Sequence, residues 1–285
     1  MLTEKKRKWI VQQFRAGRSA TSIARIQRIS RQQVYRLAKR FKKEGSTAYI
    51  AKRPGRPSQT ISPLFANKVV AIRKHMDYGS VKLHIVLVRE GFAVSQRQIQ
   101  KILDQQKLTD PCLKRRGQRT YVHYEWPIID YMWHCDWSQY KRRWYCAFID
   151  DKSRKIMALM VLNNANENHA IYVLHIAILA NESSPIIVLS DKGPQFYNNS
   201  RDKKGKRTLS LFEQECVELG IDSWTARRRH PQTNGKMEKW FDTMKQRFRK
   251  HPDEKLEDFV QWYNTERIHQ SLGYKTPEEV HRNGL

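Results

Sequence analysis

Apolar positions near the start of the chain recur with the period of a helix. Residues 6–16 carry Ile10, Val11 and Phe14, residues 20–28 carry Ile23, Ala24 and Ile26, and residues 31–43 carry Val34, Leu37, Ala38 and Phe41 at i, i+3, i+4 and i+7. With a turn at Ile29-Ser30, this is a helix-turn-helix pattern, and Ser30 is the expected N-cap of its last helix. A second three-helix pattern runs over residues 63–74, 81–90 and 95–103, with Gly91-Phe92 before the last helix and Ser95 as its cap. From Tyr131 the texture becomes alternating and aromatic. Strands are expected at 131–138, 143–149 and 156–162, with a turn near 139–142 between the first two. A helix at 167–180 leads to a wholly apolar run at 186–190, typical of a buried parallel strand. A helix at 209–219, a strand at 221–225 and helices at 235–250 and 254–265 complete the order, which suits a mixed sheet flanked by helices.

Breakers divide the chain. Lys52-Arg53-Pro54-Gly55-Arg56-Pro57 interrupts any helix or strand, and Lys114, Arg115, Arg116 and Arg119 mark a basic connector. The expected organisation is a helix-turn-helix module at 1–50, a basic linker at 51–60, a second module at 61–110, a connector at 111–122 and an α/β domain at 123–285.

Charge changes this picture from a layout into a lead. The formal net charge is +26, yet residues 1–120 hold 29 basic and 6 acidic side chains, leaving 25 and 22 for the rest. A block this basic calls for a polyanion, because each phosphate contact releases condensed counterions. Arg31, Gln32, Gln33 and Arg36 would lie near a DNA groove, where Arg reads guanine and Gln reads adenine; Gln96, Arg97, Gln98 and Lys101 repeat that chemistry. The alternative is a small solvated bundle, which the charge makes less attractive. Arg53 and Arg56 sit either in a plain linker or in an extended arm suited to a narrow minor groove. No apolar run reaches the ~18 residues of a membrane span, and no signal peptide is expected. Cys112, Cys135, Cys146 and Cys216 form no CxxC pair and are expected as free thiols of a reducing cytoplasm.

Three acids stand where chemistry is expected. The period of two in Tyr131-Met-Trp-His-Cys-Asp-Trp-Ser138 puts Trp133, Cys135 and Trp137 on one face and His134, Asp136 and Ser138 on the other. Asp191 follows the apolar strand at its carboxyl end, where α/β folds place ligand sites. Glu238 lies early on a helix, with Lys245 seven residues on and on the same side. Carboxylates from two strands and a helix can converge on two divalent cations ~3.5–4 Å apart, an arrangement that drives in-line phosphoryl transfer without a protein nucleophile. Other polar residues carry milder expectations. Asp150-Asp151 reads as a solvated turn before Lys152-Ser-Arg154, His134 as a packed or hydrogen-bonded strand residue, and Trp240, Trp262 and Tyr263 as core.

Trp133-His-Cys-Asp136, Ser190-Asp-Lys-Gly-Pro-Gln-Phe196 and His230-Pro-Gln-Thr-Asn-Gly-Lys-Met-Glu238 resemble the motifs of DDE transposases of insertion sequences, relatives of retroviral integrases. Tyr263-Asn-Thr-Glu-Arg-Ile-His-Gln-Ser-Leu-Gly-Tyr-Lys-Thr-Pro-Glu278 is similar to the segment closing such domains. The resemblance implies a ribonuclease H-like catalytic domain with Asp136, Asp191 and Glu238 as ligands of Mg²⁺ or Mn²⁺, two ions per site. It also implies a DNA contact for Lys245, cleavage at the 3′ ends of an element, joining of those ends to target DNA, and a dimer or larger oligomer on double-stranded DNA. A cytoplasmic place on a prokaryotic nucleoid follows from the same family.

Departures are visible. Lys192 stands where the family commonly has Asn or His, and 46 residues separate Asp191 from Glu238, more than is usual. The basic stretch 198–207 accounts for the excess as a surface loop open to a DNA contact. Neither the zinc-binding domain nor the small barrel of retroviral integrases is expected. An inactive DNA-binding regulator and a metal-dependent nuclease that cuts without joining are the competing functions.

Overall fold

The computed structural model describes residues 2–50, 61–109, 126–226 and 235–284. Arg53, Arg56, the basic connector with Cys112, and residues 230–234 of the His230 motif lie outside them. The chain forms two compact units, Met1–Ile61 and Ser62–Leu285.

In the first unit, α1 (Glu4–Arg15), α2 (Ala20–Gln27) and α3 (Arg31–Glu44) close around Ile10, Ile23 and Val34, all fully buried. Each helix starts on a hydroxyl cap: Thr3, Ser19 and Ser30 accept from the backbone N–H of Lys6, Ser22 and Gln33. Past α3, a 3-10 turn at Gly45–Tyr49 stacks Tyr49 on Phe41 at 5.4 Å. The sequence pattern does not announce that turn.

The second unit begins with α4 (Pro63–Met76), α5 (Ser80–Arg89) and α6 (Gln96–Gln105), packed through Val69, Leu83, Leu87, Ile99 and Ile102. The five-stranded sheet has the order β3-β2-β1-β4-β5. β1 (Met132–Tyr140), β2 (Arg143–Asp150) and β3 (Ile156–Leu162) form an antiparallel meander, while β4 (Ile187–Ser190) and β5 (Asp222–Thr225) extend it in parallel. β1 runs two residues beyond its expected end, because Gln139 and Tyr140 still pair with Trp144 and Arg143. The turn is left to Lys141 and Arg142, both at positive φ (46° and 63°), without the Asn or Gly that usually marks such a hairpin.

On one sheet face, α7 (Glu167–Asn181) and α8 (Leu211–Glu218) cover a core of Trp133, Cys135, Trp137, Phe148, Val188 and Phe212. α9 (Gly235–Lys250) and α10 (Leu256–Gln261) cover the other face with Met237, Trp240, Phe241, Met244 and Phe259. α10 is shorter than the periodicity predicts. Residues Trp262–Glu266 widen into a π turn, from which the Asn264 amide accepts from Ile156 N at 2.9 Å and donates to Ile156 O at 3.0 Å. That pairing satisfies backbone groups at the start of β3. Trp240, Trp262 and Tyr263 are core, as expected. A last helix, α11 (Pro277–Arg282), was not expected, although Thr276, Pro277 and Glu279 form its capping box and first turn.

Candidate active site

The sheet brings two of the three expected acids together by register. β1 and β4 run parallel with His134 opposite Leu189, and two residues further along each chain stand Asp136 and Asp191. Both side chains are half-buried at the carboxyl end of the β4 side of the sheet. They flank the buried Cys135, whose thiol is pushed far up by burial, with the neighbouring Cys146, Cys216, Asp136 and Asp191 adding to the shift. Trp137 N donates to Asp136 Oδ1 at 2.7 Å, and Gly193 N donates to Asp191 Oδ1 at 2.8 Å. Gly193 permits this turn: a Cβ there would meet Gln195 Nε2 at 2.6 Å and Asp191 Oδ1 at 2.9 Å.

α9 lies along the even-numbered face of β1. At its start Lys236 pairs with Asp151, which sits beside His134. Near its end Phe248 stacks on Tyr140 at 6.3 Å. Between these fixed points Glu238 occupies the first turn, exposed, and Lys245 is half-buried further along. Among the described residues no three His, Cys, Asp or Glu side chains stand close enough to hold a metal ion. Asp136 and Asp191 thus stand at neighbouring positions on the sheet, and Glu238 is not gathered with them into one cluster.

Asp150 and Asp151 require a correction. Neither is a solvated turn: they are 0% and 1% exposed. Asp150 accepts from Asp130 N at 2.9 Å and from the Ser153 backbone and hydroxyl at 2.7 and 2.6 Å. Asp151 accepts from Trp126 N at 2.8 Å, meets His134 Nε2 at 2.6 Å and pairs with Lys236. Burial works to raise the Asp151 carboxyl, but the hydrogen bonds and charges of His134 and Lys236 outweigh it and hold it well below the usual range. His134 is pushed down by burial, with Lys236 and Arg154 acting the same way against Asp151. A neutral ring donating from Nε2 fits, because Nδ1 has no partner among the described residues and a second proton there would be stranded. The sequence signal for this network was the acid pair itself, whose burial needs the His134 ring and the cations Arg154 and Lys236 that only the fold gathers.

The expected groove residues fare unequally. Arg31, Gln32, Gln33 and Arg36 are exposed on α3, and Gln96, Arg97 and Lys101 on α6. Gln33 and Gln98 have a second duty that periodicity does not show: each side-chain oxygen accepts from the N–H of its cap residue, Ser30 or Ser95, at 3.2 and 2.8 Å. The three described cysteines are buried and free, as expected. No helix among the described residues is long and apolar enough to cross a membrane.

A helix-turn-helix domain followed by a mixed five-stranded sheet flanked by helices is therefore the class of the molecule. Residues 5–58 match the family described as helix-turn-helix domain, and residues 219–277 match the integrase core domain. The ORF3 product of Spiroplasma virus SpV1-C74, described as an integrase, is 30% identical over 150 residues, covering 48% of this chain. The match spans 41% of that relative's length. Among solved structures, a simian T-cell lymphotropic virus intasome in complex with PP2A regulatory subunit B56 gamma matches with a TM-score of 0.46 and 16% identity over 75% of this chain and 74% of that one. The catalytic core of BIV integrase matches with a TM-score of 0.42 and 19% identity over 54% of this chain and 95% of its own. The HTLV-2 integrase core in complex with magnesium gives 0.41 and 18% over 54% and 98%.

Proposed function

We propose that the chain is a DNA transposase of the insertion-sequence type, which cleaves at the 3′ ends of its element and joins them to target DNA. The observation that carries this reading is the register of β1 and β4, His134 opposite Leu189, from which Asp136 on β1 and Asp191 just past the end of β4 each lie two residues on. The match of residues 219–277 to the integrase core and of residues 5–58 to a helix-turn-helix domain supports it.

The donor chemistry fits a hard divalent cation such as Mg²⁺ or Mn²⁺. Asp136, Asp191 and Glu238 offer only carboxylate oxygens, while the neighbouring Cys135 and Cys146 thiols are held protonated by burial and offer no thiolate to a softer metal. When bound, a pair of such ions supplies activation of the attacking oxygen and stabilisation of the leaving oxygen in an in-line displacement. The aspartates supply two fixed arms from the sheet, and Glu238 supplies a movable third from α9. Gly193 N holds one Asp191 oxygen by a hydrogen bond at 2.8 Å. Lys245, seven residues past Glu238, takes a DNA phosphate. Arg31, Gln32 and Arg36 on α3, and Gln96, Arg97 and Lys101 on α6, face the element ends, with Arg53 and Arg56 in the arm between the modules. Two ends must be joined, so the working form is a dimer or larger assembly on DNA, at the nucleoid of a prokaryotic host.

The test is a strand-transfer assay with labelled element ends, Mg²⁺ or Mn²⁺, and the chain beside its Asp136→Ala and Glu238→Ala variants. Joined products that vanish in both variants while duplex binding persists are the expected result. Cutting without joining would favour a nuclease, and binding with no metal-dependent chemistry a regulator.

A further inference from the structure

The longer-than-usual interval between Asp191 and Glu238 is not slack chain. Residues 198–208 within it fold as a small hairpin, closed by an antiparallel bridge between Arg201 and Arg207. Its base is tied into the core: Ser210 Oγ donates to Phe196 O at 2.9 Å, and Phe196 packs edge-on to Phe212 at 5.1 Å. Its tip is held by one acid. Asp202 Oδ1 accepts from the backbone of Lys204 and Lys206, both at 2.9 Å, and Arg201 Nη1 donates to Gly205 O at 2.6 Å. Gly205, at φ 79°, makes the reversal.

The hairpin is also wired to the Asp191 turn. Tyr197 N donates to Gly193 O at 2.9 Å, and the Tyr197 ring receives Lys192 Nζ at 5.2 Å and the Arg207 guanidinium at 4.4 Å. Arg207 is fixed in turn by a two-pronged contact with Glu213 at 2.8 and 2.9 Å. None of these contacts uses the amines of Lys203, Lys204 or Lys206, which are exposed. Backbone, Asp202 and Arg201 hold the tip that presents them.

Charge accounting singles out this element. Residues 198–208 hold five basic side chains and one acidic, whereas the rest of 121–285 holds 20 basic and 21 acidic. The positive excess of residues 121–285 is concentrated on one hairpin that follows the Asp191 turn. The residues from Arg201 to Lys206 include no apolar side chain, so the surface fits a row of phosphates and not a peptide with hydrophobic anchors.

We propose that this hairpin grips the DNA backbone alongside the Asp191 end of the site, through Lys203, Lys204 and Lys206, independently of base sequence. The inference rests on the DNA-recombination reading above. The experiment uses the full chain, without metal, and measures binding to a random-sequence duplex over a range of salt. Lys203→Ala, Lys204→Ala and Lys206→Ala combined should lower the slope of log K against log salt by roughly two to three, at about 0.9 per phosphate contact. The thermal midpoint should stay unchanged, and a triple Lys→Arg variant should restore the slope. A slope unchanged in the alanine variant overturns the hairpin's role even if the parent chain joins DNA ends. A lowered slope in a chain that joins nothing upholds the hairpin and defeats the transposase reading.

Discussion

At the scale of single residues, some positions with strong consequences draw little notice in the sequence. Gly193 is one. It lets the chain turn so tightly that its own N–H reaches Asp191 Oδ1. Gly193→Ala places a methyl group within 2.9 Å of that oxygen, and a displacement of this kind costs about 10- to 100-fold in a positioned reaction. Strand-transfer yield should fall by that order while the melting temperature barely moves; full activity would show that Asp191 tolerates the shift. His269 is another. It is half-buried against Tyr263 at 5.0 Å, and burial, with Arg267, Lys82 and Arg154 beside it, lowers it to about 3. The folded state therefore refuses a proton that the unfolded chain accepts near pH 6.5. Stability is complete above that pH and declines as pH falls toward 3, by up to about 1.4 kcal/mol per pH unit for one such histidine. Urea midpoints at pH 7, 6 and 5 should fall in that order, and His269→Gln should flatten the trend. Asp136, Asp191 and Glu238 stood out in the sequence through their motifs, and the structure sets them on β1, just past β4 and in the first turn of α9. The burial of Asp151 was not legible, since its partners come from β1, from the turn after β2 and from α9.

At the scale of elements, legibility followed amphipathic spacing. α9 emerged with its observed bounds because Met237, Phe241, Met244 and Phe248 repeat at helical intervals over a long stretch. α10 came out too long because a π turn preserves apolar periodicity while changing the hydrogen-bond ring, and nothing in Trp262-Tyr263 announces that Asn264 must reach β3. The short turns around Tyr49 and the helix α11 fall below the length at which a period can be read. What periodicity cannot supply at all is the seating of α9 on β1. The Lys236–Asp151 pair fixes that seating at the end nearest Glu238. Lys236→Met removes one cation from the buried Asp151 carboxylate, which keeps His134 and Arg154, so it should lower the melting temperature as well as loosen the first turn. We expect a loss of roughly tenfold or more in joined product, measured at a temperature where the variant is still folded. Wild-type yield in this variant would mean that the hydrophobic stripe alone seats the helix.

At the scale of the whole molecule, the division of charge was readable, and the attachment of the second three-helix module was not. Sequence shows a module at 61–110 and a connector; it does not show that α4–α6 belong to one compact unit with the sheet. Tyr78 OH accepts from Ile268 N at 2.7 Å, Lys82 Nζ donates to Ile268 O at 2.7 Å, and Trp262 Nε1 points to Met76 Sδ at 3.3 Å. Arg247, 6% exposed, lies 4.2 Å over the Trp262 ring, pairs with Glu254 and donates to His75 O across the junction. Removing one partner of a buried pair costs about 3–5 kcal/mol, so Arg247→Ala should lower the urea-unfolding free energy by that order; a change under about 1 kcal/mol would mean the junction rests on its apolar contacts. This attachment makes the fold a caliper. On the proposed function, one jaw is α6 on its base pairs and the other is the pair of aspartates at the phosphodiester. The gap between them is set by protein and counted in base pairs. An element end that gained a base pair between those two points would keep its binding sequence and its cleavage sequence, and would still be measured wrong.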